Sequence, residues 1–538
     1  MRRFTIAAGV CLLLTVFHTW PIAAAPQRNS LNHNADAQLT AWIVSWIAYA
    51  LPHEPRHLFA GNIFQPDSRV LAYSEPFFVP ALMGAPIRWL GGSAVLTNNV
   101  LILAGLWLSA LAGWWVVQRW TGSFAAGLVA GSLVAFNSHH LTRLPHLQAA
   151  HVWGLPLAFY ATERLLCDRD PRTLIRRAVI LAIVIAAIAA TSVYWLVFAG
   201  AMVFVEALFY ARSRQAWLGL VGAGVVALLV ALPVLWPYLQ LAGEGTRRPL
   251  EQAAQLSATP SAYLVSLGRL DGIWSRRFFT RDIDIFFPGF LALLLAGAGV
   301  ASAARADTES RTRAAVLIAI ALLGFVLSLG PATIVYRLAY SLVLPLQGLR
   351  VPARFGYLPL FSIALLAGLG VAALEKRMRS ALAKAAVAVV CLAGVTAEAW
   401  HGPVQTVPFK GVPAIYKLLD AGPQPALLVE APFWPSDAVF MNGEYVLNAT
   451  EHRTPIMNGY SGVTPDLYRK RALWFWFFPE QWAIDTMRKE GATHVMVHLE
   501  QFANEAESVK AALAKQHDLE LVAADQAGHL LYRFLPKP

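Results

Sequence analysis

Residues 217–240 read WLGLVGAGVVALLVALPVLWPYLQ, 24 positions without one charged side chain. At 1.5 Å of rise per residue, a helix of that length reaches about 36 Å, more than the roughly 30 Å of hydrocarbon in a bilayer. In water such a helix has no polar face to present. Working outward, the same pattern of an apolar stretch and a short polar or basic break recurs about eleven times between Met1 and Trp400. The spans are expected at about 4–20, 97–117, 123–136, 149–166, 175–190, 193–211, 217–240, 285–304, 313–330, 353–374 and 381–399. The chain therefore reads as an α-helical polytopic membrane protein with about eleven transmembrane helices.

Composition agrees. Of the 538 residues, 57% are hydrophobic and only 14% charged, and the mean hydropathy is +0.51, too apolar for a soluble core to enclose. The formal charge of +11 comes as small Arg clusters at span ends rather than as one basic stripe, which argues against a nucleic-acid partner and for membrane orientation. Cys11, Cys167 and Cys391 fit neither a disulfide framework nor a metal spacing.

Arg2 and Arg3 precede the apolar run Phe4 to Trp20, and Ile22 to Ala25 resemble a signal-peptidase site, so this segment is either the first span or a cleaved leader. In both cases the chain after Pro26 is delivered outward. Arg169, Arg172, Arg176 and Arg177, then Arg212 and Arg214, then Arg305, Arg311 and Arg313, then Lys376, Arg377, Arg379 and Lys384, mark alternate connections as cytoplasmic. The expected protein is thus a multi-pass inner-membrane protein with a cytoplasmic N-terminus. Segments 26–75, 137–148, 241–286 and 331–352 and the region after His401 face outward. A full crossing by 76–91 would break this parity, so that stretch, with Pro76, Pro80 and Pro86, is read as a re-entrant or tilted half-helix.

Residues 1–400 are taken as the transmembrane domain, including the outer loops 26–75 and 241–286, and 401–538 as an extracytoplasmic α/β domain. In the latter, strand-length apolar runs at 425–431, 493–499, 518–523 and 529–534 are separated by helical stretches at 410–420 and 504–516.

Candidate chemistry gathers in the outward segments. Leu39, Trp42, Ile43, Trp46, Ile47, Ala50 and Leu51 share one helical face, with Gln38, Thr40, Ser45 and Tyr49 off it, which suggests a helix lying on the membrane surface. Asp36 opens that helix, either as a cap or as a carboxylate able to take a proton from an attacking hydroxyl. Glu54, His57, Asp67 and Glu75 follow and could hold or support a divalent metal ion, although their spacing matches no strict motif. Residues 137–151, NSHHLTRLPHLQAAH, carry His139, His140, Arg143, His146 and Gln148, candidates for metal ligation or phosphate binding. Arg247 and Arg248, and Arg350 and Arg354, stand on the outer side against the positive-inside trend and could clamp a lipid phosphate.

The stretches DAQLTAWIVSW, LFAGNIFQPDSRVLAYSEP, RLPHLQAAHVWGLPLAFYATERLL, LRVPARFGYLPL and MNGYSG, in this order of parts, resemble the GT-C superfamily of membrane glycosyltransferases. The resemblance is nearest to bacterial GT-C-like proteins of the YfhO type. It implies a sugar taken from a polyprenyl-phosphate donor and transferred with inversion to an acceptor on the outer face, the acceptor being a glycan, lipid or protein. It also implies Asp36 as general base, Arg350 and Arg354 on the lipid phosphate, and membrane lipids as partners. The sequence departs from better-known members in lacking a WWDYG motif, and His139, His140 and His146 stand where those members place a second acid after the fourth span. Two other readings are a non-catalytic flippase for a lipid-linked saccharide and a catalytically silent GT-C scaffold whose C-terminal region binds a partner. A transporter usually carries ionisable groups at mid-membrane, and these spans hold almost none there.

Overall fold

The computed structural model describes residues 1–167, 170–244, 249–421 and 426–536. Arg169, Arg247 and Arg248, counted above among orientation and phosphate-binding residues, lie outside them. Each expected span forms a helix: Arg2–His18, Ala94–Thr121, Phe124–Ala135, Gly154–Leu166, Pro171–Ala189, Val193–Tyr210, Arg214–Gly243, Phe290–Ala303, Thr308–Ser328, Tyr357–Arg377 and Ala381–Ala399. Among the described residues, six helices are long and apolar enough to cross a bilayer, and Phe124–Ala135 and Phe290–Ala303 are shorter apolar ones. The protein is membrane-embedded. The 76–91 stretch yields only Phe78–Trp89, 12 residues or about 18 Å, too short to cross.

The chain divides into two compact units: residues 1–25 with 100–405, and residues 26–99 with 406–538. This differs from the boundary expected at 400, because the first outer loop folds with the C-terminal region and not with the spans.

In the first unit, small residues let helices approach until backbones touch. A methyl group added at Gly370 would meet Leu295 O of helix Phe290–Ala303, and one at Gly299 would meet Leu366 O. Without a hydrophobic drive between helices in lipid, such close packing supplies much of the association energy. Near the helix ends, Arg313 Nε donates to Glu163 Oε1 at 2.7 Å, with the guanidinium also 4.7 Å above Trp120 and bonded to Glu309. Arg313, read above as an orienting loop cation, is therefore a buried ion-pair partner.

The second unit is built around helix Ala35–His53. Residues 37–48 of it are all buried, including Gln38, Thr40 and Ser45. A helix lying on a membrane would leave those three in water, so the surface-helix expectation is corrected: this helix is a core element. Its polar side chains find internal partners, Thr40 Oγ1 donating to Asn98 Oδ1 at 3.2 Å and Trp42 Nε1 to Asn62 Oδ1 at 2.8 Å. Gly443 opens helix Gly443–His452 against Ala35 and Gln38, where any side chain would collide with Gln38 Oε1. Strand β1 (Asn29–Ser30) pairs antiparallel with β2 (Val407–Pro408), and residues 62–65 hydrogen-bond to 456–458, so early and late parts of the chain share backbone bonds. The expected strands appear as β3 (Leu428–Ala431), β4 (His494–His498), β5 (Leu519–Ala524) and β6 (His529–Phe534), in the order β3-β4-β6-β5. β3 and β4 are parallel; β4–β6 and β6–β5 are antiparallel.

Candidate functional site

Asp36 occupies the first turn of helix Ala35–His53, but Asn34 caps the helix, its Oδ1 accepting from Asp36 N at 2.9 Å. The Asp36 carboxylate is thus not the cap. It is half-buried, and its Oδ1 accepts a 2.7 Å hydrogen bond from Tyr460 Oη, the tyrosine of the MNGYSG stretch. A negative group in the first helical turn is favoured by the helix dipole, and a phenol donor fixes the carboxylate's rotamer.

The same unit holds a cavity of about 370 Å³ lined by Trp42, Trp46, Tyr49, Asn62, Arg88, Trp89 and Arg453, among others. Trp46 Nε1 and Trp89 Nε1 bond to backbone carbonyls, as Trp42 Nε1 does to Asn62. Arg453, at φ +56°, lies 4.3 Å above the Tyr49 ring. Arg88 bonds Gly92 O at 2.6 Å and pairs with Glu451 at 3.0 Å. Flat rings beside two guanidinium groups are chemically suited to stacking a saccharide ring. Sequence reading saw the aromatic stripe as membrane-facing and missed the cavity, because Arg453 comes from far along the chain.

Of the first-loop residues proposed for metal, Glu54 accepts from Tyr49 Oη at 3.1 Å, and Asp67 accepts from Tyr73 Oη and Arg69 N. His57 is exposed and Glu75 half-buried. They do not form a ligand cluster. Among the described residues, the one grouping of three His, Cys, Asp or Glu ligand atoms within 4.8 Å is His498, Glu500 and His529.

In the first unit, residues 136–153, outside the helical spans, bring the expected basic residues together. His139 and His140 are buried, stacking on Phe286 at 4.8 Å and Tyr357 at 4.6 Å. Burial, and then the positive fields of His140, Arg143, Arg354 and His146, hold His139 well below the usual imidazole range; burial takes His140 down to about 3. Arg143 also reaches Asp282 at 3.4 Å, and Arg354 lies 4.3 Å over Tyr194. Gln148 is buried, and its backbone carbonyl accepts from Trp195 Nε1 at 2.8 Å. Arg350 is exposed. A buried, positively biased group of side chains of this kind is suited to an anion.

No family model and no curated protein matches the chain, whereas solved structures do. It is similar to the arabinofuranosyltransferase AftD from Mycobacteria, with TM-score 0.62 and 17% identity over 100% of this chain and 40% of that one. The chain spans about two fifths of AftD. It is similar to the oligosaccharyltransferase AglB from Archaeoglobus fulgidus in complex with an inhibitory peptide and a dolichol-phosphate, with TM-score 0.53 and 13% identity over 99% of this chain and 74% of that one. It is also similar to ArnT from Cupriavidus metallidurans bound to undecaprenyl phosphate, with TM-score 0.50 and 13% identity over 98% and 97% of the two chains. The chain shares its fold with these three solved structures.

Proposed function

We propose that this protein is a GT-C glycosyltransferase of the bacterial inner membrane, moving a sugar from a polyprenyl-phosphate donor to an acceptor on the outer face. The observation that carries the reading is the Asp36 carboxylate, relieved of capping by Asn34 and oriented by Tyr460, within a fold shared with transferases, two of them solved with polyprenyl-type phosphates.

In the reaction, the acceptor hydroxyl oxygen bonds to the anomeric carbon as the bond from that carbon to the donor phosphate oxygen breaks. The electron pair leaves with the polyprenyl phosphate, the configuration inverts, and Asp36 takes the hydroxyl proton. Within the first unit, Arg143 and Arg354, with His139 and His146, form an anion site suited to a lipid phosphate, with Arg350 adding positive charge and His140 and Gln148 lining it. The cavity of Trp42, Trp46 and Trp89 with Arg88 and Arg453 holds an anionic saccharide acceptor. The N-terminus is cytoplasmic and the second unit extracytoplasmic.

Purified protein, reconstituted with a labelled polyprenyl-phosphate sugar and a mixture of envelope glycans, tests this. Wild type should release polyprenyl phosphate and label an acceptor, and Asp36→Asn should lose most of that transfer at unchanged expression. Undiminished transfer by the variant removes Asp36 from the mechanism. Movement of intact donor across the membrane without sugar release would make the protein a flippase.

A further inference from the structure

His498 and His529 are directly opposed partners on the antiparallel strands β4 and β6, so their side chains emerge on one face of the sheet, with ring centroids 5.0 Å apart. Each ring has one nitrogen committed to a carboxylate. His498 Nε2 donates to the fully buried Glu430 at 2.8 Å, and Glu430 in turn accepts from Tyr416 Oη at 2.9 Å. His529 Nδ1 donates to Asp525 Oδ2 at 2.7 Å, and Asp525 is itself fixed by the backbone N–H groups of Ala527 and His529.

With those nitrogens engaged, His498 Nδ1 and His529 Nε2 both face the same atom, Glu500 Oε1, each at 3.6 Å, and a bound cation would take the place of any proton they carry. That separation is longer than a good hydrogen bond. It matches the roughly 3.4 Å between neighbouring ligand atoms of a tetrahedral ion bound at about 2.0–2.2 Å.

We propose that His498, Glu500 and His529 form a divalent transition-metal site, best suited to zinc, with Glu430 and Asp525 as orienting carboxylates. Two imidazoles and one carboxylate select zinc over magnesium or calcium, which prefer all-oxygen shells. The carboxylate behind each histidine is the arrangement that fixes ring orientation and raises ligand basicity in zinc proteins. The two histidines are buried while Glu500 is 46% exposed, so the fourth position opens to solvent and gives the ion its route in.

The site stands independently of the proposed transfer reaction. The test uses tag-free full-length protein in detergent, stripped with a chelator. Titration with zinc should show one saturable equivalent, and cobalt(II) should give the intense visible bands of a tetrahedral site. His529→Ala and Glu500→Gln should each abolish that equivalent. Asp525→Asn, which keeps the fold and the first ligands, should weaken zinc roughly 10- to 100-fold. Absence of saturable zinc binding by wild type overturns the proposal, and so does an equivalent that survives both His529→Ala and Glu500→Gln.

Discussion

The same side chain is placed in opposite company at two points in this molecule. His139, in the first unit, is held well below its usual protonation range by burial and then by the positive fields of His140, Arg143, Arg354 and His146. In the second unit, burial of His498 is outweighed by the hydrogen bond it donates to Glu430 and by the nearby negative charge of Glu500, which raise it to about 9. An imidazole among cations is one component of an anion site, and one backed by carboxylates is one component of a cation site. Ligand class is therefore decided by the neighbours a histidine is given, which its own position in the sequence does not show.

The largest effect expected lies outside both clusters. Asp36→Asn should lower transfer on the order of 100- to 10,000-fold while leaving polyprenyl-phosphate and zinc binding unchanged; measuring all three on one preparation shows whether chemistry and binding are separable. Next, Arg354→Gln should weaken polyprenyl-phosphate binding roughly 10- to 100-fold, the loss of a charge-assisted contact, with no effect on zinc. Equal weakening of both ligands would erase the distinction between the clusters. A buried ion pair serves as the structural control: removing Glu163 leaves the buried Arg313 guanidinium with only the exposed Glu309, which should cost up to about 3–5 kcal/mol of stability. That loss should appear in denaturation of the helical unit, with both ligand affinities intact in the surviving folded fraction.

The smallest effect concerns pH. Because His139 is depressed in the folded state, the unfolded chain takes up its proton first as pH falls below about 6.5. Local stability of residues 136–153 is therefore present above that pH and declines below it, which hydrogen exchange would detect. Bound phosphate would place negative charge beside the ring and reduce the decline. An identical pH profile with and without polyprenyl phosphate would remove His139 from the phosphate site.

The helical architecture was legible in the sequence because hydrocarbon demands long uncharged runs, and the basic breaks between them are equally local signals. The four strands of the sheet were legible for the same reason, each being a short apolar run between polar turns. Asp36 and the 139–148 cluster could be named from their positions, but their company could not. Asn34 rather than Asp36 as the cap, and Arg354 beside His139, depend on side-chain placement. The surface-helix reading failed because the seven apolar positions of helix Ala35–His53 had one clear stripe, yet segments hundreds of residues later cover the remaining sides. The zinc-site residues carried a faint signal in His498 and Glu500, two apart at a strand end, but β6 had to be laid beside β4 before His529 completed it.

The pairing of 26–99 with 406–538 has a consequence for biosynthesis. Roughly 300 residues separate these halves, so at about 5–20 residues per second the ribosome needs on the order of 15 to 60 s to make the second after the first. Throughout that interval the tryptophan-bearing helix Ala35–His53 exists without the strands and helices that will enclose it, and its greasy sides are open to any passing chain. Assembly of this unit is thus unavoidably late, and the helix waits unenclosed until translation ends.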